Sequence, residues 1–486
     1  MDDFPEGLLD LPSASDVSLT IQLAQQLRLL IANGRLKSGH RLPSSRRLAA
    51  RLGISRNTVT QAIEQLVAEG YLEVSRSRRP VVAAGVSLLT GPQYANRAHG
   101  VVPKVRLSSW GREVARSDWP PLYNETPRPF QPALADEREF PHDAWGRCLR
   151  RAASRRFRLG SAATNDPALQ EALLKHLAAH RGISARPEQI IIVPSSQAGL
   201  TLITRLVVNA GDVAWIESPG YGGAYAACLA AGAHVVGVPI DAHGLRVAKN
   251  SPMPRIIFVT PSHQYPTGCL MPIGRRHELL RFARSSGAVI IEDDYDGEFH
   301  YEGRPVAALA ALDPSASAFY VGTFSKAMSS HIRVGYVIVP ESMVSTFARA
   351  QRHLGILAAS TLQTALAEFI ENGTYLSHIR RMTRLYRERR DCLAQALLAE
   401  ARKSLAIDIP AGGMQLLIRY QGLMDDKILS RLLHEVGVVA RPLSEMLHHA
   451  SRERGLFLGF AAWTNDELMA GAKAIGRCMR AASRAN

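Results

Sequence analysis

Cysteine is scarce and scattered in this sequence. Five residues, Cys148, Cys228, Cys269, Cys392 and Cys478, include no CxxC pair. That spacing argues against a disulfide framework and a thiolate zinc site, and no metal is expected. No apolar run is long and clean enough to span a bilayer. The opening stretch MDDFPEGLLDLPSASD is acidic and lacks the basic start and apolar centre of a secretory signal. A cytoplasmic protein is therefore expected. Acidic residues are also in deficit: 43 Asp and Glu face 58 Lys and Arg, a net charge of +15. An Arg-rich enzyme would show the same total, so position matters more. Between Arg28 and Arg79 there are 11 basic residues against 3 acidic ones. A local basic excess on a small module suits a phosphate-bearing partner.

What is present exceeds a single core. The 486 residues, 46% apolar and 21% charged, fit a globular chain of two or three domains. Residues 18–85 read as a short, helical, basic domain. Residues 86–107 lack helical periodicity and carry Pro, Gly and Ser, as a linker does. From 108 to 486 short β-branched runs alternate with helical stretches. The runs are QIIIV (189–193), VAWIE (213–217), HVVGV (234–238), RIIFV (255–259), AVIIE (288–292), AFYVG (318–322) and VGYVIV (334–339). Runs this apolar suit strands buried on both faces, and their alternation with helices predicts an α/β domain with a mostly parallel sheet. The stretch from about 370 onward is helix-rich, with GGMQLLIRY (412–420) and GLFLGFA (455–461) as strand candidates. It reads as a smaller α+β subdomain.

In the basic module, TIQLAQQLRLLIAN (20–33) predicts a helix with Ile21, Leu23, Ala24, Leu27, Leu30 and Ile31 inward, and Gly34 stops it. Ser44 or Ser45 then caps a helix through Leu48, Ala49 and Leu52, which Gly53 breaks. Ser55 caps another, with Val59, Ile63 and Leu66 facing inward. Helix, tight turn, helix is the arrangement of a helix-turn-helix. The second helix presents Arg56, Asn57, Thr58 and Gln61 at its start, side chains that reach base edges and phosphates. Tyr71–Val74 and Val81–Val82 are candidate wing strands, with Arg76, Arg78 and Arg79 at the tip. A helical dimerisation module or lid would share the apolar spacing. The fuller string LPSSRRLAARLGISRNTV…LVAEGYL resembles the winged head of the GntR family of bacterial regulators. The resemblance implies that Ser45, Arg46, Arg56, Thr58 and Gln61 contact double-stranded operator DNA. The wing departs from the family: SRSRRP stands where a Gly-rich tip is usual.

The sharpest chemical signal is GTFSKAMSSHIRVGY (322–336). Lys326 follows a strand and a hydroxyl-rich turn, and Arg333 lies seven residues on. A lysine that forms a Schiff base must sit near a phosphate site, and Thr323, Ser325 and Arg333 can donate to that phosphate. Upstream, VIIEDDYDGEF (289–299) puts acids at the end of a buried strand, where open α/β sheets bind ligands. The pyridinium nitrogen of pyridoxal 5′-phosphate needs such a carboxylate. Asp293 is the candidate, with Tyr295 donating to the ring's 3-oxygen. Asp293, Asp294 and Asp296 could instead ligate Mg²⁺, but no phosphate-cradling GK[ST] motif accompanies them. VPSSQAGL (193–200) offers the backbone N–H groups of Ser196 and Gln197 to the phosphate. ESPGY (217–221) offers Tyr221 for stacking, and TPSHQYPTG (260–268) would line the ring's other edge, with His263 among its contacts.

Four such pieces in order around one lysine resemble a fold-type I aminotransferase domain. The fusion to a GntR head is similar to the MocR/GabR family of transcriptional regulators. The resemblance implies Lys326 as the aldimine lysine, Asp293 on the pyridine nitrogen, Tyr295 on the 3-oxygen, Tyr221 as the stacking ring and Arg333 on the phosphate. It also implies a late arginine for an effector carboxylate, for which Arg441 in VVARPL is the candidate and Arg419 the runner-up. There are departures. Tyr265 stands where aminotransferases carry Asn before the Pro of NPTG. The usual tyrosine is missing from LGSAATNDPALQEAL (159–173), and Gln131 replaces an arginine in FQPAL. The expected protein is a regulator that senses a small amino compound, or the cofactor itself, through Lys326. A head-to-tail homodimer would present two heads to repeated half-sites. An active aminotransferase with an accessory N-terminal domain is the alternative, since its site residues would be the same. A regulator whose large domain has lost the cofactor would not need these residues.

Overall fold

The computed structural model describes residues 9, 11, 17–74, 79–84, 105–117, 119–120, 126–155, 164–248, 251–303, 306–312, 318–401, 405–420 and 424–484. Arg76 and Arg78, and most of the linker, lie outside the described residues. The chain divides into two compact units, Met1–Ser108 and Ser109–Asn486.

Serine caps set the register of the first unit. Helix α1 (Leu19–Ala32) precedes α2 (Ser45–Leu52) and α3 (Arg56–Ala68). Ser44 accepts from Arg47 N and starts α2; Gly53, at φ +64°, ends it. Ser55 accepts from Thr58 N at 3.0 Å and starts α3. Each cap satisfies one N–H that the first helical turn leaves open. Strands β1 (Leu72–Glu73) and β2 (Val81–Val82) pair antiparallel as the wing. The core joins Leu23, Leu27, Leu30 and Ile31 to Leu48, Val59, Ile63 and Leu66. Ile21 departs from expectation: it is exposed, and Gln22 turns inward to donate to the Val17 carbonyl at 2.6 Å. At about 100° per residue, Ile21 lies roughly 200° from Leu23, off the stripe that the later residues define.

The second unit opens with α4 (Ser109–Arg116), α5 (His142–Ser154) and α6 (Pro167–Arg181). Its large sheet holds β3 (Ile190–Val193), β4 (Val213–Ser218), β5 (His234–Asp241), β6 (Gly244–Leu245), β7 (Ile256–Val259), β8 (Val289–Asp293), β9 (Ala318–Thr323) and β10 (Gly335–Ile338). Their spatial order is β3-β10-β9-β8-β7-β4-β5-β6. Neighbours from β9 to β5 run parallel, while β10 is antiparallel to both β3 and β9. Strands β3, β7, β8 and β10 are buried at every residue, as parallel strands covered on both faces require. Helices α7 (Ser196–Val207), α8 (Gly222–Ala230) and α9 (Ile273–Ser286) alternate with these strands, and the sheet separates two apolar clusters.

Beyond the sheet come α10 (Val344–Leu354), α11 (Ser360–Glu371) and the long α12 (Thr374–Ala401). The small sheet has β11 (Leu405–Asp408), β12 (Gln415–Tyr420), β13 (Arg441–Pro442) and β14 (Gly455–Gly459), ordered β11-β12-β14-β13 and wholly antiparallel. Helices α13 (Asp426–Glu435) and α14 (Asn465–Arg484) complete it. Among the described residues no helix is long and apolar enough to cross a membrane.

Candidate cofactor site and nucleic-acid interface

Three parallel strands end at one place. The carboxyl ends of β4, β8 and β9 deliver Ser218–Tyr221, Asp293–Tyr295 and Thr323–Lys326 to the same edge of the sheet. The start of α7 joins them. Ser195 caps α7 by accepting from Ala198 N at 3.1 Å, which leaves the Ser196 and Gln197 N–H groups in the open first turn. Gly335 permits this approach: a Cβ there would fall 2.9 Å from Ser196 N. The result is a cavity of about 340 Å³ lined in part by Ser195, Ser196, Gln197, Tyr221, Tyr265, Asp293, Tyr295, Thr323, Ser325, Lys326, Arg333 and Arg441.

Lys326 sits on the single helical turn Phe324–Ala327, capped by Thr323, which accepts from Ser325 N at 3.2 Å. Its Nζ donates to the Ala133 carbonyl at 2.7 Å. Burial lowers its pKa to about 8, against the opposing pull of Asp296 and Asp293. Asp293 is 3% exposed, and its Oδ1 is buried with no hydrogen-bond partner. Burial first, then Asp294, Asp296 and Glu217, push its pKa up to about 8. A carboxyl that is buried, unpartnered and on a cavity wall is costly unless a ligand supplies the missing donor. Glu217, wholly buried behind it, is raised to about 7 by burial, while Thr260 and Gln264 hold it down.

Three tyrosines form the aromatic wall. Tyr221 and Tyr265 meet edge-on with centroids 5.6 Å apart, and Tyr265 meets Tyr295 at 5.9 Å. Trp119 packs edge-on to Tyr221 at 6.0 Å. Arg441 donates to the Tyr265 hydroxyl at 3.2 Å and pairs with Glu445 at 3.8 Å. It also lines an adjoining cavity of about 760 Å³, together with Trp119, Pro120 and Gln197.

His263 is the one proposed contact outside the cavity lining. Its Nδ1 meets Asp296 at 2.9 Å and its ring lies against Gly412, where a Cβ would come within 2.2 Å of Nε2. Tyr265 takes the wall position that the motif had offered to His263. Arg419 is likewise elsewhere: on β12 it pairs with Asp408 and with Glu453 at 3.9 Å. The alternative Mg²⁺ triad is dispersed, since Asp294 pairs with Arg181 at 2.6 Å and Asp296 with His263. Among the described residues no group of three or more potential ligands could hold a metal. Trp119, Pro132, Ala133, Ser195, Ser330 and Gln415 also line the cavity, and sequence reasoning missed them. Ser195 and Ser330 stand inside the quoted strings VPSSQAGL and GTFSKAMSSHIRVGY without having been singled out, whereas Trp119, Pro132 and Ala133 come from loops and Gln415 from β12, with no motif spacing to the lysine. Only the departure from NPTG drew attention to Tyr265.

In the first unit Arg46, Arg56, Asn57 and Gln61 are exposed, and Ser45 and Thr58 are half-buried. Arg56 Nε donates to Ser45 Oγ at 3.4 Å, and Ser55 and Thr58 share a hydroxyl hydrogen bond of 2.8 Å. These contacts gather the N-termini of α2 and α3 on one polar face. Their open N–H groups and the arginines suit a phosphate backbone.

Residues 132–475 match the aminotransferase class I and II family, and residues 19–82 match the gntR family of bacterial regulatory proteins. The chain is 38% identical over 460 residues to the probable rhizopine catabolism regulatory protein MocR of Rhizobium meliloti, covering 93% of this chain and 92% of that protein. It is 31% identical over 475 residues to the HTH-type pyridoxine biosynthesis transcriptional regulator PdxR of Corynebacterium glutamicum, covering 95% and 97%. Among solved structures it is similar to the α-aminoadipate aminotransferase LysN of Thermus thermophilus, complexed with N-(5′-phosphopyridoxyl)-L-leucine. The TM-score is 0.67 and the identity 24%, over 74% of this chain and 93% of that one.

Proposed function

Because the chain belongs to the MocR family, in which a GntR-type head is joined to a class I and II aminotransferase domain, we propose that a small amine signals through Lys326. The chain is a DNA-binding transcriptional regulator, and its large domain takes pyridoxal 5′-phosphate. The observation that carries the site reading is the orphaned, buried Oδ1 of Asp293 on the cavity that Lys326 lines. When bound, the cofactor supplies an aldehyde for which a resident lysine and an incoming amine compete. Lys326 is the resident amine, and burial keeps a share of it unprotonated near neutral pH. Asp293 holds the ring nitrogen's proton, Tyr295 donates to the 3-oxygen, and Tyr221 flanks the ring. Ser196, Gln197, Thr323, Ser325 and Arg333 hold the phosphate.

The effector reading is an amino compound, with the cofactor itself as the other form of the signal. Arg441 stands on the walls of both cavities, which supports it as the contact for an effector carboxylate. In the head, Ser45, Arg46, Arg56, Asn57, Thr58 and Gln61 contact the operator. A DNA-binding protein of this kind works in the cytoplasm. A homodimer is also part of this proposal. Exposed Trp110, Val114, Tyr225 and Leu354 at the larger cavity support it, since a monomer gains nothing by showing water so much apolar surface.

The test is a joint titration. Duplex DNA is first selected from a random pool with the full-length, cofactor-loaded protein. Candidate amines are then added while the visible band of the lysine-bound cofactor and DNA retention are followed together. Both should change over the same concentration range. A band change with sustained keto-acid turnover and unaltered DNA binding would favour the aminotransferase alternative.

A further inference from the structure

We infer that the backbone carbonyl of Ala133, held by Gln415, is the landing site of the Lys326 amine whenever that amine is free of cofactor. Gln415 is then a positioning residue for amine exchange. The inference rests on the reading of Lys326 as the cofactor lysine.

Lys326 donates to Ala133 O at 2.7 Å, and Ala133 N donates to Gln415 Oε1 at 3.1 Å. Gln415 is buried at the start of β12, in the small subdomain, whereas Lys326 follows β9 of the large sheet. The strap between them is strained: Phe130 and Ala133 lie at φ +69° and +70°. A residue with a Cβ adopts this backbone only where its surroundings hold it there.

Here they do. Phe130 is fully buried, and its carbonyl accepts from Gly459 N at 2.8 Å. A Cβ on Gly471 would come within 2.6 Å of its ring, and one on Gly459 within 2.4 Å of the Gln131 carbonyl. The strap thus lies on bare backbone of β14 and α14. Pro129 O adds a bond from Val439 N at 2.9 Å. These anchors, Gln415 included, belong to the small subdomain, yet the Ala133 carbonyl faces the lysine of the large sheet.

When an incoming primary amine takes the aldehyde carbon, a C–N bond to the incoming nitrogen forms. The incoming nitrogen takes over the double bond to that carbon, both bonds from the carbon to Lys326 Nζ break, and the two hydrogens that the incoming nitrogen gives up end on Nζ, with no oxidation or reduction. A released amine in a buried site needs an acceptor. Ala133 O is that acceptor, and it stays in reach only while Gln415 holds the Ala133 amide. Release of Lys326 is therefore recorded by a strap anchored on the small subdomain.

The probe is propylamine, added to the full-length cofactor-loaded protein while the visible band is followed. Gln415→Leu removes the acceptor and should raise the half-displacing concentration about tenfold, the worth of one hydrogen bond that positions a charged group. Gln415→Glu keeps an acceptor and should stay within about threefold of wild type. In a Lys326→Ala background there is no lysine to dock, so Gln415→Leu should change propylamine capture less than about twofold. In the cofactor-free chain, amide exchange over residues 130–133 should speed up in Gln415→Leu.

An unchanged midpoint in Gln415→Leu, or a shift that persists without Lys326, overturns the inference. If the leucine variant does not retain cofactor, Gln415→Asn, one methylene shorter, carries the titration with the same expected direction. A wild-type band that survives Lys326→Ala sinks the lysine reading and the inference with it. That failure is told apart because it appears before Gln415 is touched.

Discussion

The head and the large domain keep their functional groups in opposite surroundings. In the head, the residues proposed to contact DNA lie within one short string, from Ser45 to Gln61, and all but the half-buried Ser45 and Thr58 are exposed. In the large domain Asp293 and Tyr265 are buried, most of the other candidate site residues are half-buried and Arg333 is exposed, and the cavity draws on segments from Trp119 to Arg441. Water screens the first set, so each charge there acts almost alone and costs the fold little. The second set shares one desolvated space, where Asp293, Glu217 and Lys326 all have displaced pKa values because burial penalises their charged forms. An exposed site is a sum of contacts, and a buried site is a mutually dependent group.

The largest expected effect tests that dependence. Asp293→Asn should weaken cofactor retention by about 3 kcal/mol or more, the usual result of breaking a buried charge pair. The same change should raise the melting temperature of the cofactor-free chain. Asp293's folded pKa of about 8 lies above its unfolded value. The folded state therefore holds the extra proton, and stability falls as pH rises from the unfolded pKa toward 8. Asparagine removes that loss. Equilibrium dialysis and thermal unfolding at pH 6 and 9 check both halves, and an unchanged dialysis constant would break the contrast with the head.

The next effect concerns Lys326. Its pKa, lowered to about 8, makes the neutral amine roughly a hundredfold more abundant at pH 7 than for an exposed lysine. In the cofactor-free chain, trinitrobenzenesulfonate should label Lys326 with a half-maximal rate near pH 8, as peptide mapping would show. The depressed pKa also signs its stability term. Between about 8 and the unfolded value the unfolded state binds more protons, so this group's contribution rises with pH there. Labelling half-maximal near pH 10 would return Lys326 to the class of exposed lysines.

The smallest effect belongs to the head. Arg56→Ala should weaken binding to mixed-sequence duplex DNA by about 1–3 kcal/mol and lower the salt-dependence slope by about one. The melting temperature should stay within about a degree, because Arg56 is exposed and makes only a 3.4 Å contact with Ser45. A large loss of stability would show that the head too is a coupled group.

Much of the fold was legible. All seven apolar runs from QIIIV to VGYVIV became strands of one mostly parallel sheet, and six are buried along nearly their whole length, as strands covered on both faces must be; HVVGV, in β5, departs from this and is only half-buried. The serine caps of α2 and α3 were legible because capping is decided within three residues. Ile21 was misplaced because a stripe is set by the whole helix, and Ile21, the third residue of α1, lies about 200° from Leu23 and so off that stripe. His263 was drawn toward the cavity by its motif, but Gly412 left room for its ring beside Asp296. That space belongs to a loop far along the chain.

By itself, the sequence determined the local matters: where helices start, which runs become strands, that Asp293 ends its strand and that Lys326 follows one. These follow from interactions over a few residues, which order along the chain records. Only the tertiary structure decided that Tyr265 rather than His263 forms the wall, and that Gln415 accepts from the amide of Ala133, whose carbonyl faces Lys326. Those outcomes depend on how the small subdomain packs over the large sheet, and contacts across such distances along the chain leave no periodicity to read.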